Sequence, residues 1–494
     1  MDRGRGTRAG PGSGWWLVAV GAAFTAAELL FVSPRMGLSW DESVYVSQVS
    51  GHAPAAWFDP ARARGVPLLV APVAALTSSV VALRVYLSLA CGLGLTLALW
   101  TWRRLRPARV LGLAGVLFGG LWVAQYYGPQ AMPDMWSALG GLAAVGCFLR
   151  GGSKAPAGLA ASVAFVTLVR PGDAVCLAAP LLAAAVILRR WRPAAAVAGG
   201  LLAGGAGWVI EAYARFGGVA GRLRAAGAEQ GGFGLHFALP GELRALNGPT
   251  LCRPCTIGLR YPALDLWWFL LPALVTVGIL AARRVAPPRP QGPGQPDAGT
   301  PGTSPLGSAL LPAVCGLCLA AQYLFMINYA APRFLLPAYA LLAIPAADGL
   351  AFLVTRTGAD LRPAMTAVVT CFLVVQLVAQ HLVLDHEAGG TVAFHDDYAR
   401  IAAELAARGV RPPCLIQGVQ YIPIAYDAGC ASAGVPAQDV AAAVIVRSGR
   451  RPPSYARNWR AYQVTGTKVL KVNAYIRRPA ASRVLSRAGR QIRR

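Results

Sequence analysis

Acidic side chains are scarce in this chain. Asp and Glu number 21 against 46 Lys and Arg in 494 residues, and all charged residues together make up only 14%. A soluble globular protein carries roughly 25% charge, so the shortage argues against that class. Histidine is limited to 5 residues. His381 and His386 are five apart and His395 stands in the C-terminal tail, so no metal-ligand spacing emerges. The expectation is no obligatory metal and no cofactor. No solenoid-type repeat is present. Nor do paired halves with charged, broken helices appear, which is the pattern of transporters. A membrane transporter or lipid flippase, and a scaffold that merely displays an outer tail, remain as rivals to an enzyme.

Apolar residues are abundant instead. They make up 55% of the chain, with a mean hydropathy of +0.49. They come in long runs, at residues 15–32, 83–102, 110–126, 132–149, 157–169, 174–188, 194–212, 264–282, 306–327, 334–354 and 364–384. Runs of about 18 or more such residues read as membrane spans. The expected architecture is therefore an all-α polytopic membrane protein with about eleven spans. The net charge of +25 first suggests a nucleic-acid partner. Its placement points elsewhere. Arg3, Arg5 and Arg8, then Arg103, Arg104, Arg106 and Arg109, then Arg150 and Lys154, then Arg189, Arg190 and Arg192, then Arg283, Arg284 and Arg289, and finally Arg356 and Arg362 occupy alternate short loops. Such loops stay cytoplasmic. The partner is a lipid bilayer, and no nucleic acid is expected. The N-terminus then lies inside, and an odd number of spans places the C-terminus outside. Residues 15–32 follow a basic stretch like that of a signal peptide, but the run is too long for one and no small-residue cleavage site follows. It reads as a retained span.

This divides the chain into a basic cytoplasmic N-terminus (1–14), a transmembrane domain (15–384) with outer loops 33–82 and 213–263, and an extracytoplasmic C-terminal domain (385–494). In that last domain, residues 396–408 show helical spacing through Tyr398, Ile401 and Leu405. Residues 414–421 and 441–446 read as short buried strands. A small α/β domain is expected. Residues 289–305, rich in Pro, Gly, Ser and Thr, read as a cytoplasmic linker. Six cysteines lie in spans, where a thiol is a small apolar group. Cys252, Cys255, Cys414 and Cys430 lie outside. Disulfides suit an oxidising compartment, Cys414 with Cys430 in particular. Cys252-Arg-Pro-Cys255 also fits a redox motif or half of a zinc site.

Most acids fall on the outer side. Asp41 and Glu42 sit just beyond the first span, with Tyr45 following. A carboxylate at the membrane–water boundary is suited to take a proton from an acceptor hydroxyl. The same pair also reads as a helix start, Asp41 as cap and Glu42 in the first turn. Arg64, Arg170 and Arg333 are outer arginines, each readable as a phosphate contact or as a side chain snorkelling to lipid headgroups. Asp134 and Asp173 bind substrate or start the next helix. Glu28 lies inside the first span, where an ionisable group is costly; near the outer end, it is functional or snorkels.

Several pieces together resemble a known family. They are Asp41-Glu42-Ser43-Val44-Tyr45, Arg64-Gly65-Val66-Pro67-Leu68-Leu69, Met132-Pro133-Asp134, Arg170-Pro171-Gly172-Asp173 and Arg333-Phe334-Leu335-Leu336-Pro337. Their order and shared outer side resemble the lipid-linked-sugar glycosyltransferases of the GT-C fold, in the branch of the protein O-mannosyltransferases and aminoarabinose transferases. The resemblance covers roughly residues 15–384. The relatives often have Lys-Pro-Pro or His-Pro-Pro where this chain has Gly-Val-Pro.

The resemblance implies a plasma-membrane enzyme that moves a sugar from a polyprenyl-phosphate donor to a cell-envelope glycan, lipid or protein acceptor. Asp41 is then the general base, attack at the anomeric carbon inverts it, and Glu42 and Tyr45 position Asp41. Arg64, Arg170 and Arg333 hold the departing phosphate, while Asp134 and Asp173 bind sugar or acceptor.

Overall fold

The computed structural model describes residues 14–232, 234–284, 304–433 and 441–477. In chain order these form α1 (Trp15–Phe31), α2 (Trp40–Ser47), α3 (Gly65–Ala74), α4 (Val80–Trp100), α5 (Ala108–Gly119), α6 (Trp122–Tyr127), α7 (Pro133–Arg150), α8 (Ala155–Val169), α9 (Pro171–Ile187), α10 (Trp191–Phe216), α11 (Val219–Gln230), α12 (Leu239–Ala245), α13 (Leu266–Arg284), α14 (Pro305–Phe325), α15 (Leu336–Arg356) and α16 (Arg362–Ala407). Then follow β1 (Leu415–Gly418), α17 (Tyr421–Asp427), β2 (Ala431–Ser432), β3 (Ala443–Arg447), β4 (Arg460–Gln463) and β5 (Val472–Ile476). Short 3-10 turns precede α13 and α15, at Pro262–Asp265 and Pro332–Leu335.

Every apolar run lies on helix, and the chain is a multi-pass membrane protein. Among the described residues, 6 helices are long and apolar enough to cross a membrane, and several shorter apolar helices accompany them. Length alone does not bring the number of crossings to eleven. The run at 110–126 is two helices, α5 and α6. The break follows Gly119-Gly120, and the Trp122 amide donates to the Gln380 side chain at 2.9 Å rather than to a helical carbonyl. The linker at 289–305 falls outside the described residues except for its last two.

The described residues fall into two compact units. The first comprises Met1–Val32, Pro60–Gly65 and Leu87–Glu387. Its helices pack through small residues. A side chain at Gly200 or Gly204 of α10 would collide with the backbone of α8 at Ala160 or Ala164, and one at Gly278 of α13 with the Pro345 carbonyl of α15. Backbones that close gain contact that lipid tails cannot displace.

The second unit comprises Ser33–Asp59, Val66–Tyr86 and Ala388–Arg494. Its sheet has the order β2-β1-β3-β5-β4. β1 is parallel to β2 and β3, while β5 is antiparallel to β3 and β4. Tyr398, Ile401 and Leu405, one stripe of α16, meet Ile416, Ile424, Ile445 and Val472 in one core. That core explains a departure from expectation. Residues 396–408 are not a separate helix; they close an unbroken α16 of 46 residues. The strand expected at 414–421 is shorter, because Tyr421 already begins α17. A Cys414–Cys430 disulfide ties the start of β1 to that of β2, where Ala431 N donates to Cys414 O at 2.8 Å. Cys252 and Cys255 also form a disulfide, in the first unit.

Candidate active site

Three of the motifs share one grammar. In Met132-Pro133-Asp134 and Arg170-Pro171-Gly172-Asp173, proline opens a helix and aspartate follows in its first turn. Proline suits a position whose N–H has no helical partner, and a carboxylate there meets the positive end of the helix dipole. Arg333 likewise follows Pro332 in the turn that leads into α15.

In the first unit these motifs converge. Asp134 and Asp173 are buried, at 1% and 0% exposure. Arg170 pairs with Asp134 through Nη1 and lies 3.7 Å from Asp173 through Nε. Arg333 Nε stands 3.4 Å from the other Asp134 oxygen, and its Nη1 donates to Thr250 O at 3.4 Å. Asp173 accepts from Ser137 Oγ at 2.6 Å, from Gln322 Nε2 at 3.0 Å and from the Tyr323 hydroxyl. Both guanidinium groups lie against the Phe334 ring, at 5.2 Å for Arg170 and 5.1 Å for Arg333. Phe334 itself stacks on Tyr323 at 4.7 Å. Ion pairs this deep recover little of their desolvation cost, so stability alone does not account for the cluster.

Arg64 stands elsewhere in the first unit. Its Nη2 meets Glu211 Oε1 at 2.6 Å, and Glu211 also pairs with Arg215 and Arg222. Arg222 is fully buried and donates to the carbonyls of Pro60 and Arg62, which holds the Arg64 segment on α10 and α11. Glu28 is 0% exposed in α1, so it does not snorkel, and it packs directly on Gly128. Glu242 of α12 is also fully buried and accepts from the Ala331 amide at 3.0 Å, two residues before Arg333. Burial pushes its carboxyl up to about 8, against the lowering effects of the Ala331 amide and of Arg333.

Asp41, Glu42 and Tyr45 belong to α2 of the second unit. The cap of this helix is Ser39, not Asp41. Ser39 and Glu42 form a reciprocal capping box, Glu42 N to Ser39 Oγ at 3.4 Å and Ser39 N to Glu42 Oε2 at 3.0 Å. Glu42 is fully buried and is gripped through both oxygens by Arg84, itself 1% exposed. Arg84 continues to the carbonyls of Met36 and Gly37 at 3.2 and 2.9 Å, and His395 Nδ1 donates to Gly37 O at 2.7 Å. Asp41 is half-buried beside this locked carboxylate. Tyr45, four residues on, is buried edge-on to Phe58 at 6.0 Å.

This architecture recurs in solved structures. ArnT from Cupriavidus metallidurans bound to undecaprenyl phosphate superposes with a TM-score of 0.63 at 14% identity, covering 93% of this chain and 98% of that one. The archaeal oligosaccharyltransferase AglB from Archaeoglobus fulgidus, in complex with an inhibitory peptide and a dolichol-phosphate, superposes at 0.51 and 12% identity, over 88% of this chain and 69% of that one. This chain has the GT-C fold. No protein-family model matches the sequence, and no curated protein matches it. At such identity the likeness is one of fold. The resemblance read from scattered motifs and the superposed backbone therefore agree on the GT-C architecture from independent grounds.

Sequence reasoning singled out Asp134, Arg170, Asp173 and Arg333, and the GT-C fold gathers these four. It passed over their partners Ser137, Gln322 and Tyr323, ordinary residues inside apolar runs. It also passed over Arg84, although a charge at the start of a span carries the same signal that drew notice to Glu28.

Proposed function

We propose that the protein is a membrane glycosyltransferase that moves a sugar from a polyprenyl-phosphate donor to an acceptor at the outer membrane face. The observation that carries this reading is the buried meeting of Arg170 and Arg333 around Asp134. It lies in a chain whose fold is that of an ArnT bound to undecaprenyl phosphate. Arginine binds phosphate oxygens with paired, directional hydrogen bonds. The two aspartates hold the guanidinium groups in place in the resting protein, and phosphate oxygens replace part of that contact when the donor binds. Asp173, fixed by three donors, orients Arg170. Arg64 is a further phosphate contact.

Asp41 is the general base. Glu42 is a poor candidate, because Arg84 and the Ser39 amide already occupy its two oxygens. Its role is to hold the start of α2, and that of Tyr45 is to anchor the same helix. The acceptor hydroxyl loses its proton to Asp41 while its oxygen bonds to the anomeric carbon. The bond from that carbon to the phosphate oxygen breaks, and its electron pair leaves with the polyprenyl phosphate. The carbon is attacked from the side opposite the leaving group, so its configuration inverts.

The test uses purified protein with a panel of undecaprenyl-phosphate sugars and a cell-envelope acceptor extract, following undecaprenyl phosphate release by mass spectrometry. Wild-type protein should release it from at least one donor, and Asp41→Asn about 10²–10⁴-fold more slowly. Equal rates would remove Asp41 from the chemistry. No release from any donor, combined with lipid translocation in liposomes, would favour a flippase.

A further inference from the structure

The face bearing the basic loops carries a second feature that glycosyl transfer does not use. A cavity of about 940 Å³ opens in the first unit where the α4–α5 connection, the end of α7 and the end of α15 come together. Arg104, Arg106, Arg150 and Arg356 line it, and Asp348 is the one carboxylate among its lining residues. Arg106 spends its charge on Asp348, with Nε 2.8 Å from both oxygens and Nη1 donating to Ser308 Oγ at 3.0 Å. That pair forms a neutral floor. Arg104, Arg150 and Arg356 make no ion pair among the described residues.

Nearby sequence offers little to neutralise them. The connecting segments 103–109, 150–154, 189–192, 283–305 and 355–363 contain only Asp297 and Asp360 as acids. The remaining wall is mainly apolar, with Leu105 from the α4–α5 connection and Leu149 and Phe352 from helix ends. Arg356 lies 5.7 Å from the Phe352 ring.

We infer that this cavity binds the headgroup phosphate of an anionic phospholipid. Arginines supply phosphate-directed donors, and apolar helix ends at headgroup depth accept the upper acyl chain. Basic pockets between transmembrane helices bind anionic headgroups in this way. A soluble phosphate would use the same arginines but gain nothing from the apolar wall. The occupant is therefore the lipid, distinct in site and role from the polyprenyl-phosphate donor.

Native mass spectrometry of the detergent-purified protein tests this, with phosphatidylglycerol, phosphatidylcholine and inorganic phosphate as probes. Wild-type protein should retain phosphatidylglycerol in preference to phosphatidylcholine. Each arginine near the headgroup layer is worth about fivefold in affinity. Arg104→Gln, Arg150→Gln and Arg356→Gln combined should thus weaken retention about a hundredfold at an unchanged unfolding midpoint. If the triple variant does not fold, Arg356→Gln alone should weaken it about fivefold. Equal retention of the two lipids, or unaltered retention by a folded variant, would overturn the proposal. So would inorganic phosphate displacing phosphatidylglycerol from wild-type protein at matching concentration, since the site would then serve a soluble anion.

Discussion

Asp41 and Glu42 are sequence neighbours that differ in burial. Glu42 is gripped by Arg84 and by the Ser39 amide, whereas Asp41 is half-buried. A buried pair is weak evidence for stability, but breaking one leaves a charge without compensation. Arg84→Met should therefore destabilise the protein by about 3–5 kcal/mol. Adding Glu42→Gln should restore much of that loss, as a double-mutant cycle of unfolding midpoints would record. A combined loss equal to the sum of the two single losses would show that the pair is not coupled. At Arg333 the contact is with Asp134 at 3.4 Å and against the Phe334 ring. Lysine keeps the charge but loses the planar fork. Arg333→Lys should lose most transfer activity in the donor-release assay while the protein still folds, as an unaltered elution profile in detergent would show. Full activity would return Arg333 to a headgroup contact. Asp41, Glu42 and Arg333 drew attention in sequence because charge is rare here. Which of two adjacent carboxylates was locked depended on Arg84, 42 positions from Glu42, and no local pattern reports that.

α12 shows how a short helix is tied to the segment that carries Arg333. Glu242 in its first turn accepts from Ala331 N, and burial raises its carboxyl to about 8. The unfolded chain would titrate near the ordinary glutamate value of about 4.3. A carboxyl raised by folding contributes stability that is fully present below that value and lost as pH rises through the folded one. The unfolding midpoint in detergent should fall between about pH 5 and pH 8, and Glu242→Gln should flatten that fall. A slope as steep in the variant as in wild type would assign the effect to another group. The elements themselves were largely legible. Long apolar runs marked the spanning helices, and Tyr398, Ile401 and Leu405 marked a helical stripe. Element ends were less so. The unbroken α16 and the division of α5 from α6 follow from the core beneath α16 and from Gln380, and both are tertiary contacts.

For the whole molecule, we propose from the alternation of basic loops a topology with the N-terminus inside and the C-terminal domain outside. Lys468 is well exposed in that domain, and Asp360 is exposed between α15 and α16. Lys468→Cys should react with an impermeant maleimide on intact cells, and Asp360→Cys only after permeabilisation. The reverse pattern would invert the topology and move the proposed chemistry to the cytoplasmic side. By itself, the sequence determined that this is a membrane protein of many helices, with its acids and arginines segregated between loops. That follows because burial in lipid selects long apolar runs, and loop charge is a local property of composition. The tertiary structure alone decided which charges meet. Asp134, Arg170, Asp173, Tyr323 and Arg333 span 200 positions from first to last. Only the packing of helices brings such distant residues within hydrogen-bonding reach, where low polarity makes each pairing count.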